Sequence, residues 1–361
     1  MNVYTIGGSN PPFSNRLTFN SLPAKPTLTL SNPTAGTIAG AAPTPNINTV
    51  LPYLPMANMN QWSFDVERAL WGGAGLDVQY LGAKTIHLDR NYYTNTPLPG
   101  AGAIQARRPN QKWGVIRAVS NDMVENYDGL NVILRQRFNH GLSMLVSYTW
   151  SHTLDVGTDS NNSGNGAAPQ DPYNWKGDYG NSNWDIRHRI VASYSYELPF
   201  FKTAKGFQHY ALGGWQINGV ITAQKGTPIL LNAAGDAANT GAATAERPNL
   251  IATAVADCGH GHLVGCITAS SFTVAAPFTY GNAGRNIVKG PGLTETDFSV
   301  FKNLPLGTER ARLQLRFEFF NIFNTPSFTN PTAVFGTATF GNINSTLIPN
   351  RQFQVAAKVI F

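Results

Sequence analysis

The sequence predicts an all-β fold, an antiparallel transmembrane β-barrel to which this chain contributes about nine strands joined by long loops. Three observations predict it. Apolar and polar residues alternate with a period of two in nine segments, and this pattern sorts them onto the two faces of a strand. The links between these segments alternate between short and long. Charged residues make up only 13% of the chain, about half the roughly 25% of a typical soluble domain.

The rest of the composition agrees with a chain of strands and loops. Its 361 residues include 35 Gly and 23 Pro, which suit turns better than helices. The net charge is +6, but Lys and Arg are scattered among acidic residues, so nucleic-acid binding is not indicated. No stretch reaches the roughly 18 apolar residues of a transmembrane helix. Residues 1–4 also lack the features of a secretory signal.

The clearest alternation lies in residues 142–151, where Leu, Met, Val, Tyr and Trp share one parity and mostly Ser and Thr occupy the other. The last eleven residues alternate in the same way. Most predicted strands reach the roughly 9–11 residues with which a tilted strand crosses a bilayer. The nine predicted strands are residues 61–69, 75–83, 127–138, 142–153, 186–198, 213–227, 294–303, 310–320 and 351–361.

The links follow the rhythm of a transmembrane barrel, in which periplasmic turns are short and extracellular loops are long. Short turns are predicted at residues 71–74, 139–141 and 305–308, and a medium link follows Pro199. A soluble sandwich would space its turns more evenly. The predicted long stretches are residues 84–126, 154–185, 228–293 and 321–350.

Charged side chains on the clearest strands share the polar parity, as expected if the other parity contacts lipid, where an Arg or Lys costs roughly 2–4 kcal/mol. Strand 294–303 is the exception, since neither of its parities is clean. Aromatic residues near strand ends suggest an interfacial girdle, although an inward-facing aromatic core of a soluble protein would alternate in the same way. The charged set is Asp65, Glu67, Asp77, Arg135, Arg137, Glu197, Arg312, Arg316, Glu318 and Lys358.

Two cysteines, Cys258 and Cys266, lie eight residues apart in a predicted loop. They are a candidate disulfide of an oxidising compartment. Two alternatives remain open at this point, a pair of unpaired thiols and a metal site that includes His260 and His262. The spacing and the loop context fit zinc poorly.

The chain ends on Phe361, inside an alternating strand. This end resembles the C-terminal signature by which the assembly machinery recognises outer-membrane barrels, carried here by Phe353, Val355, Ala357, Val359 and Phe361. If this last strand ends in the periplasm, every short turn falls in the periplasm and every long loop lies outside. Residues 1–58 then form an extracellular loop-like segment, and residues 59–361 form the C-terminal part of the barrel.

Nine strands make an odd number entered from outside, whereas bacterial single-chain barrels have even numbers. An open edge in lipid would leave backbone groups unpaired. We therefore expect a fragment of a larger barrel, with further strands and a signal peptide preceding residue 1.

Residues 61–361 resemble the C-terminal half of Oar-like TonB-dependent receptors. The resemblance implies a 22-stranded barrel with a plug domain, energised by the TonB complex to take up a scarce solute. No plug, TonB box or carboxypeptidase-like domain is recognisable in this sequence, which leaves transport by this chain alone in doubt. The motifs that carry the resemblance are Tyr127-Asp128-Gly129-Leu130-Asn131-Val132, Arg135-Gln136-Arg137-Phe138, Ser147-Tyr148-Thr149-Trp150-Ser151, Asp185-Ile186-Arg187-His188-Arg189, Gly214-Trp215-Gln216-Ile217-Asn218-Gly219, Gly284-Arg285-Asn286 and Glu318-Phe319-Phe320-Asn321-Ile322-Phe323-Asn324.

No catalytic or cofactor motif is present, so we expect neither an enzyme nor a bound cofactor. Residues 185–189 place a His between two Arg, which fits the polar rim of a strand better than an active site. Arg312, Arg316 and Glu318 fit an internally paired lumen wall. One loop also carries several side chains with oxygen atoms that could bind calcium, but their spacing matches no calcium motif. They are Asp155, Asp159, Asn161, Asn162 and Asp171.

The sequence therefore predicts part of an outer-membrane receptor or transporter that binds or passes an unidentified solute. The alternative is a cell-surface structural or adhesive β protein without transport activity. A soluble, secreted β-sandwich lectin is a third hypothesis, and it predicts that the protein partitions into buffer.

Overall fold

The structure is a computed structural model that describes residues 10–11, 44–157, 169–201, 206–241, 246–254, 256–259, 261–306 and 311–361. Nine long strands form one sheet. We number them β1 to β9 along the chain: Asn58–Ala69, Ala74–Tyr93, Ile116–Asn139, Leu142–Asp155, His188–Glu197, Trp215–Gln224, Leu293–Pro305, Arg312–Phe320 and Gln352–Ile360.

Each of the nine strands pairs antiparallel with the strand that follows it, so the sheet is an up-and-down meander. All nine predicted strands are confirmed, including residues 294–303. Within the described residues the sheet is open, because β1 pairs only with β2 and β9 only with β8.

Strands β2 and β3 are longer than predicted. They pair from Ala74 and Gln136 up to Tyr93 and Arg117, with irregularities near Leu88. The prediction of a loop over residues 84–126 is therefore wrong, and the loop spans only residues 94–115. The strands continue through the charged residues at 84–90 and 117–125, because a strand outside the hydrocarbon layer can carry charges on both faces.

The segment predicted as loop-like, residues 1–58, is described only in part. Ile47–Val50 forms a short strand that pairs in parallel with Ile116–Val119 of β3. This stretch is strand rather than loop, because the extended start of β3 offers it an unpaired edge.

Two of the short turns that were predicted lie within the described residues. At the β3–β4 hairpin, His140 and Gly141 have positive φ angles of 50° and 85°, as a tight hairpin turn requires. A Cβ atom on Gly141 would lie 2.6 Å from the carbonyl oxygen of Glu197. Trp71–Gly73 forms a 3₁₀ turn between β1 and β2. Residues 307–310 of the predicted turn at 305–308 lie outside the described residues.

The register sorts the side chains of the sheet onto an apolar face and a polar face. One apolar row crosses four strands as Val66, Val78, Val132 and Tyr148. The next row along the strands is polar, with Asp65, Gln79, Asn131 and Thr149. Because residues paired across strands share a face, the alternation seen in the sequence continues across the whole sheet.

Two residues explain why neither parity of strand 294–303 is uniformly apolar or uniformly polar in the sequence. Phe301 points to the polar face, where the Arg316 guanidinium lies 4.8 Å from its ring centroid. Lys302 points to the apolar face, in one row with Trp215 and Leu315. Both residues lie near the end of the sheet that carries the short turns.

The long stretches 228–293 and 321–350 are not simple loops. They share a small hydrophobic core that includes Leu231, Ile267, Phe272 and Phe340, all at most 8% exposed. Short strand pairs hold these segments together. The pairs are Pro228–Ile229 with Val288–Lys289, Asn232–Ala233 with Val334–Phe335, and Asn249–Leu250 with Phe272–Thr273. We call this unit, residues 228–293 and 321–350, the cap.

Two short α-helices occur outside the sheet, α1 at Ile104–Arg107 and α2 at Phe207–Leu212. Helix α2 belongs to the medium link between β5 and β6. In the described part of the chain, neither helix is of the length and apolarity that a helical membrane span requires.

Candidate functional site

The polar face of the sheet forms a wall of hydrogen-bonding side chains. A central row crosses five strands as Ser143, Ser195, Asn218, Ser299 and Glu318. We call this face the polar wall. Residues paired across neighbouring strands point to the same face of the sheet. The polar wall forms because the sequence places polar residues at these paired positions.

A cavity of about 600 Å³ is lined by residues of six neighbouring strands, from Arg135 on β3 to Glu318 on β8. Neighbouring strands lie about 4.8 Å apart, so six flat strands would be roughly 24 Å wide. A single cavity reaches all six because the sheet is curved. In a membrane barrel the polar face lines the interior, so the polar wall is the concave face and the apolar face is the convex one.

Hydrogen bonds within strands and between strands order the polar wall. The Gln216 amide donates to Ser195 Oγ (2.7 Å) and to Asn218 Oδ1 (2.9 Å). Arg316 Nε donates to Gln314 Oε1 at 2.8 Å. Asn218 Nδ2 and Asp77 Oδ1 are buried without a protein partner among the described residues. Since a buried polar atom without a partner is costly, these two atoms are sites for water or a polar solute.

Several large apolar side chains of the convex face are exposed. Phe64 is 68% exposed, and Val66, Val355 and Val359 are each more than half exposed. Along β4 this face runs from Leu142 to Trp150, which at about 3.3 Å per residue is roughly 26 Å. Because barrel strands tilt by roughly 35–45°, this stretch rises about 20 Å and fits within the apolar band of a membrane barrel, about 25 Å tall.

Tyrosines near the long-loop edge of the apolar face hold polar partners. The Tyr80 hydroxyl donates to Asp128 Oδ1 at 2.7 Å. The Tyr148 hydroxyl lies 2.8 Å from His188 Nδ1. An apolar ring with a satisfied hydroxyl is what an aromatic girdle needs at a membrane–water interface.

Buried ion pairs hold the long loops above the polar wall. Arg285 of the cap pairs with Asp155 at the end of β4, and both side chains are at most 4% exposed. Arg247 of the cap pairs with Asp178 at 2.8 Å. Burial raises the pKa of the Asp178 carboxyl, and the positive charge of Arg247 opposes that shift. These pairs tie the cap to the loop between β4 and β5.

Asp185 forms a third junction, because its buried carboxylate accepts from several donors. These include the backbone N–H of Thr153 (3.0 Å), Arg187 Nε (3.0 Å) and Lys289 Nζ (3.4 Å). The junction joins β4, the start of β5 and the cap.

A family model for the outer membrane beta barrel domain matches residues 1–354. This match covers nearly the whole chain. The chain belongs to the outer-membrane β-barrel domain family.

Several solved structures resemble this outer-membrane barrel at low identity. The outer membrane transporter YddB from Escherichia coli is 9% identical, with a TM-score of 0.46, and the match covers 89% of this chain and 35% of YddB. The FrpB iron transporter from Neisseria meningitidis is 12% identical, with a TM-score of 0.40, over 87% of this chain and 33% of FrpB. The ferripyoverdine receptor of the outer membrane of Pseudomonas aeruginosa is 10% identical, with a TM-score of 0.40, over 84% and 27%.

The chain thus spans about a third of the length of these proteins. No curated protein matches the sequence significantly.

Family membership assigns the two faces of the sheet. The protein is located in the bacterial outer membrane, where the convex apolar face contacts lipid and the polar wall faces the barrel interior. A barrel of this family has short turns in the periplasm and long loops outside, so the cap is extracellular. The hypothesis of a soluble β-sandwich lectin is therefore excluded.

The charged residues expected on the polar parity lie on the polar wall wherever the strand register includes them. They are Asp65, Glu67, Asp77, Arg135, Glu197, Arg312, Arg316, Glu318 and Lys358. Charges on the lipid-facing side lie near its edges, at Arg68, Lys84, Asp128 and Lys302.

In the cap of this barrel, a disulfide joins Cys258 and Cys266. Cys266 is 6% exposed and belongs to the small hydrophobic core. His262 Nδ1 lies 2.8 Å from Asp257 Oδ2, and both side chains are exposed; His260 lies outside the described residues. The described residues contain no group of three or more His, Cys, Asp or Glu side chains placed to hold a metal ion.

The acidic residues considered for calcium are not brought together as far as the structure describes them. Asp155 is paired with Arg285, and Asp171 accepts from the backbone N–H of Tyr173 at 2.9 Å. The other three, Asp159, Asn161 and Asn162, lie outside the described residues.

The residues considered for assembly lie on the lipid-facing side of β9 and at its end. Phe353 stacks at 4.9 Å on Phe319 of β8, and Phe361 is 98% exposed. Their role as an assembly signal stays a prediction.

Sequence reasoning missed the residues that hold the cap, namely Arg247, Arg285, Asp178 and Glu246. Arg285 belongs to the motif Gly284-Arg285-Asn286, from which no role was predicted. A signal was available, because charged residues inside long stretches of small and apolar residues are rarely buried without a partner. The partners are up to 130 positions apart, so the pairing itself was not readable.

Proposed function

We propose that this chain forms part of a TonB-dependent outer-membrane receptor or transporter, in which the polar wall binds or passes a solute and is not an enzyme's active site. The observation that supports the proposal is the cavity on the concave polar wall, with charges of both signs at Arg135, Asp297 and Glu318. Unpartnered polar atoms at Asn218 and Asp77 fit a solvated pathway.

The resemblance to Oar-like receptors supports the finer part of the proposal. It implies that a plug domain fills the complete barrel and that the TonB complex supplies energy. The transport activity is proposed for the complete receptor, together with the barrel-assembly machinery as a partner in its biogenesis. The cap lies where a solute would enter, and its loops would set the specificity.

The experiment places one cysteine on each face of β7. Ser299→Cys lies in the cavity lining, and its neighbour Val300→Cys points to lipid. The complete receptor that carries either variant is reconstituted in phospholipid vesicles and treated with a membrane-impermeant thiosulfonate. We expect Ser299→Cys to react and Val300→Cys to remain unmodified.

The second readout is flux. Efflux of trapped glucose from the same vesicles should slow after modification of Ser299→Cys and stay unchanged for Val300→Cys. A reactive Ser299→Cys whose modification leaves efflux unaltered would contradict a solute pathway while leaving the barrel fold intact.

A surface-adhesive role is the second candidate, and the folded cap favours it. The cap has its own hydrophobic core and disulfide, and it exposes Val264 (80%), Ile251 (64%) and Val274 (55%). Vesicles carrying the protein should then bind an immobilised glycan array, and Val264→Asp should weaken that binding without changing glucose efflux.

A further inference from the structure

We propose that helix α2, in the periplasmic link between β5 and β6, lies on the outer side of the barrel and anchors it in the phospholipid headgroup region of the periplasmic leaflet. This inference concerns lipid contact and does not depend on the proposed solute pathway. It rests on the position of Lys302, on the exposed side chains of the link, and on the continuity of the link with the apolar belt.

Lys302 shows on which side of the wall the helix lies. It shares a row with Trp215 and Leu315 on the lipid-facing side of the sheet, yet it is only 6% exposed. Its ammonium group donates to the carbonyl oxygens of Gly213 and, at 3.2 Å, Ala211. A side chain on the outer face therefore contacts the C-terminal end of α2, and that end must lie outside the wall rather than beneath the lumen.

The contact between Lys302 and α2 is a specific one. Carbonyl groups at a helix C-terminus lack partners within the helix and carry partial negative charge, so an ammonium group is favoured there. The Nζ atom also lies 5.0 Å from the centroid of the Trp215 ring. Carbonyls and ring together offset the cost of holding a cation on the lipid-facing side of the sheet.

Gly214 makes the turn that brings the helix back to the wall. Its φ angle is +69°, and a Cβ atom there would lie 2.6 Å from the carbonyl oxygen of Asn303. Asn303 in turn donates its backbone N–H to the carbonyl of Gly214 at 2.9 Å. Only glycine allows this close approach, and the approach fixes α2 against β7.

The side chains that α2 leaves uncovered suit a membrane interface. Phe207 is 85% exposed and Tyr210 is 49% exposed, and residues three apart lie on one side of a helix. Phe200, Phe201 and Leu212 in the same link are each more than 45% exposed. In water this group would be an exposed apolar patch, whereas at the headgroups aromatic rings are stabilised.

Continuity with the lipid-facing belt selects phospholipid as the partner. Trp215 directly follows the link and starts the lipid-facing parity of β6. The belt therefore continues without interruption from the strands into the link. A protein partner in the periplasm would instead be an outcome of the test.

The test measures the surroundings of a spin label at Phe207→Cys in the full chain reconstituted in phosphatidylcholine vesicles. The native disulfide between Cys258 and Cys266 does not react with the thiol reagent. His140→Cys, in the β3–β4 turn at the same end of the barrel, is the matched control. We expect the ratio of collision with oxygen to collision with a nickel chelate to be several-fold higher at 207 than at 140.

A second variant tests the contact that positions α2. Lys302→Met keeps the aliphatic stem and removes the ammonium group, and we expect the ratio at 207 to fall toward that at 140. An unchanged ratio would remove Lys302 from the inference. A label at 207 that is as accessible to nickel as the label at 140, in the unaltered background, would overturn the anchor itself.

Discussion

At the scale of single residues, the extracellular cap depends on charged groups that are buried and paired. Each such group is costly to take out of water, and each is stable only because its partner is also held in place. Arg285 with Asp155 is the clearest pair, since both side chains are almost completely buried. Glu246 is buried in a different way, because its carboxyl group lies beside a second carboxyl group, that of Asp236.

Removing Arg285 alone should open the cap. Arg285→Ala leaves the Asp155 carboxylate buried without its cation, and breaking such a pair costs about 3–5 kcal/mol. Hydrogen exchange in residues 281–289 should increase while exchange in β4 stays slow. The double variant Asp155→Ala with Arg285→Ala should lose less protection than the single one. Arg351→Ala, at an exposed site, is the control.

Glu246 makes the cap sensitive to pH. Burial, reinforced by Asp236, raises the pKa of its carboxyl from the ordinary 4.5 to about 7. Asp236 shifts the other way: its pKa is lowered, because the opposing effect of burial is outweighed by hydrogen bonds from Glu246 and from backbone N–H groups. In the window between about 4.5 and 7, the folded cap holds a proton on Glu246 that the unfolded chain has released.

Stability of the cap should therefore fall as the pH rises from about 4.5 to 7 and change little above that. Hydrogen exchange at residues 237–241, corrected for the intrinsic rate, should show more opening at pH 8 than at pH 5. Glu246→Gln should remove most of this dependence. A cap that becomes less protected on acidification across this window would contradict the assignment to Glu246.

At the scale of elements, the strands were readable from the sequence and the long loops were not. All nine strands were predicted because period-two alternation is a local pattern. The face to which a residue points can be inferred from the polarity of the residues next to it in the sequence. The extension of β2 to Tyr93 was missed because the alternation beyond residue 83 contains charges, which the hydrocarbon belt excludes but water does not. The pairing of Arg247 with Asp178 joins different loops, and nothing local indicates it.

The disulfide in the cap should act locally. Replacing both Cys258 and Cys266 with Ser removes a cross-link over an eight-residue separation, which by chain entropy is worth about 2–3 kcal/mol. We expect chymotrypsin to cut after Leu263 in the variant, while the wall strands stay protected in the membrane. Reducing agent should give the wild-type protein the same cleavage pattern.

At the scale of the whole molecule, the protein is a curved sheet with lipid on one side and a wet interior on the other. Adjacent residues on one strand therefore face different solvents. This is why the same substitution should have different consequences at neighbouring positions.

Val146 and Ser147 on β4 provide the comparison. Val146 shares a lipid-facing row with Leu134 and Ala192, and Ser147 shares a wall row with Ile133 and Val191. Val146→Arg should destabilise the folded protein by about 2–4 kcal/mol, the cost of Arg near the bilayer midplane. Ser147→Arg should be tolerated. Urea titration in vesicles, followed by gel mobility without heating, measures both, and equal losses would contradict the assignment of faces.

The β2–β3 hairpin arm carries the chain well away from the bilayer. Residues 81–93 of β2 continue past the level of Trp150, and at roughly 3.3 Å each they extend about 40 Å along the strand. The tip of this hairpin, near Gly102, rests on the extracellular cap, because the Asn239 amide donates to the carbonyl oxygens of Gly100 and Gly102 at 2.8 and 2.9 Å. A short peptide tag inserted after Gly102 should stain intact, unpermeabilised cells.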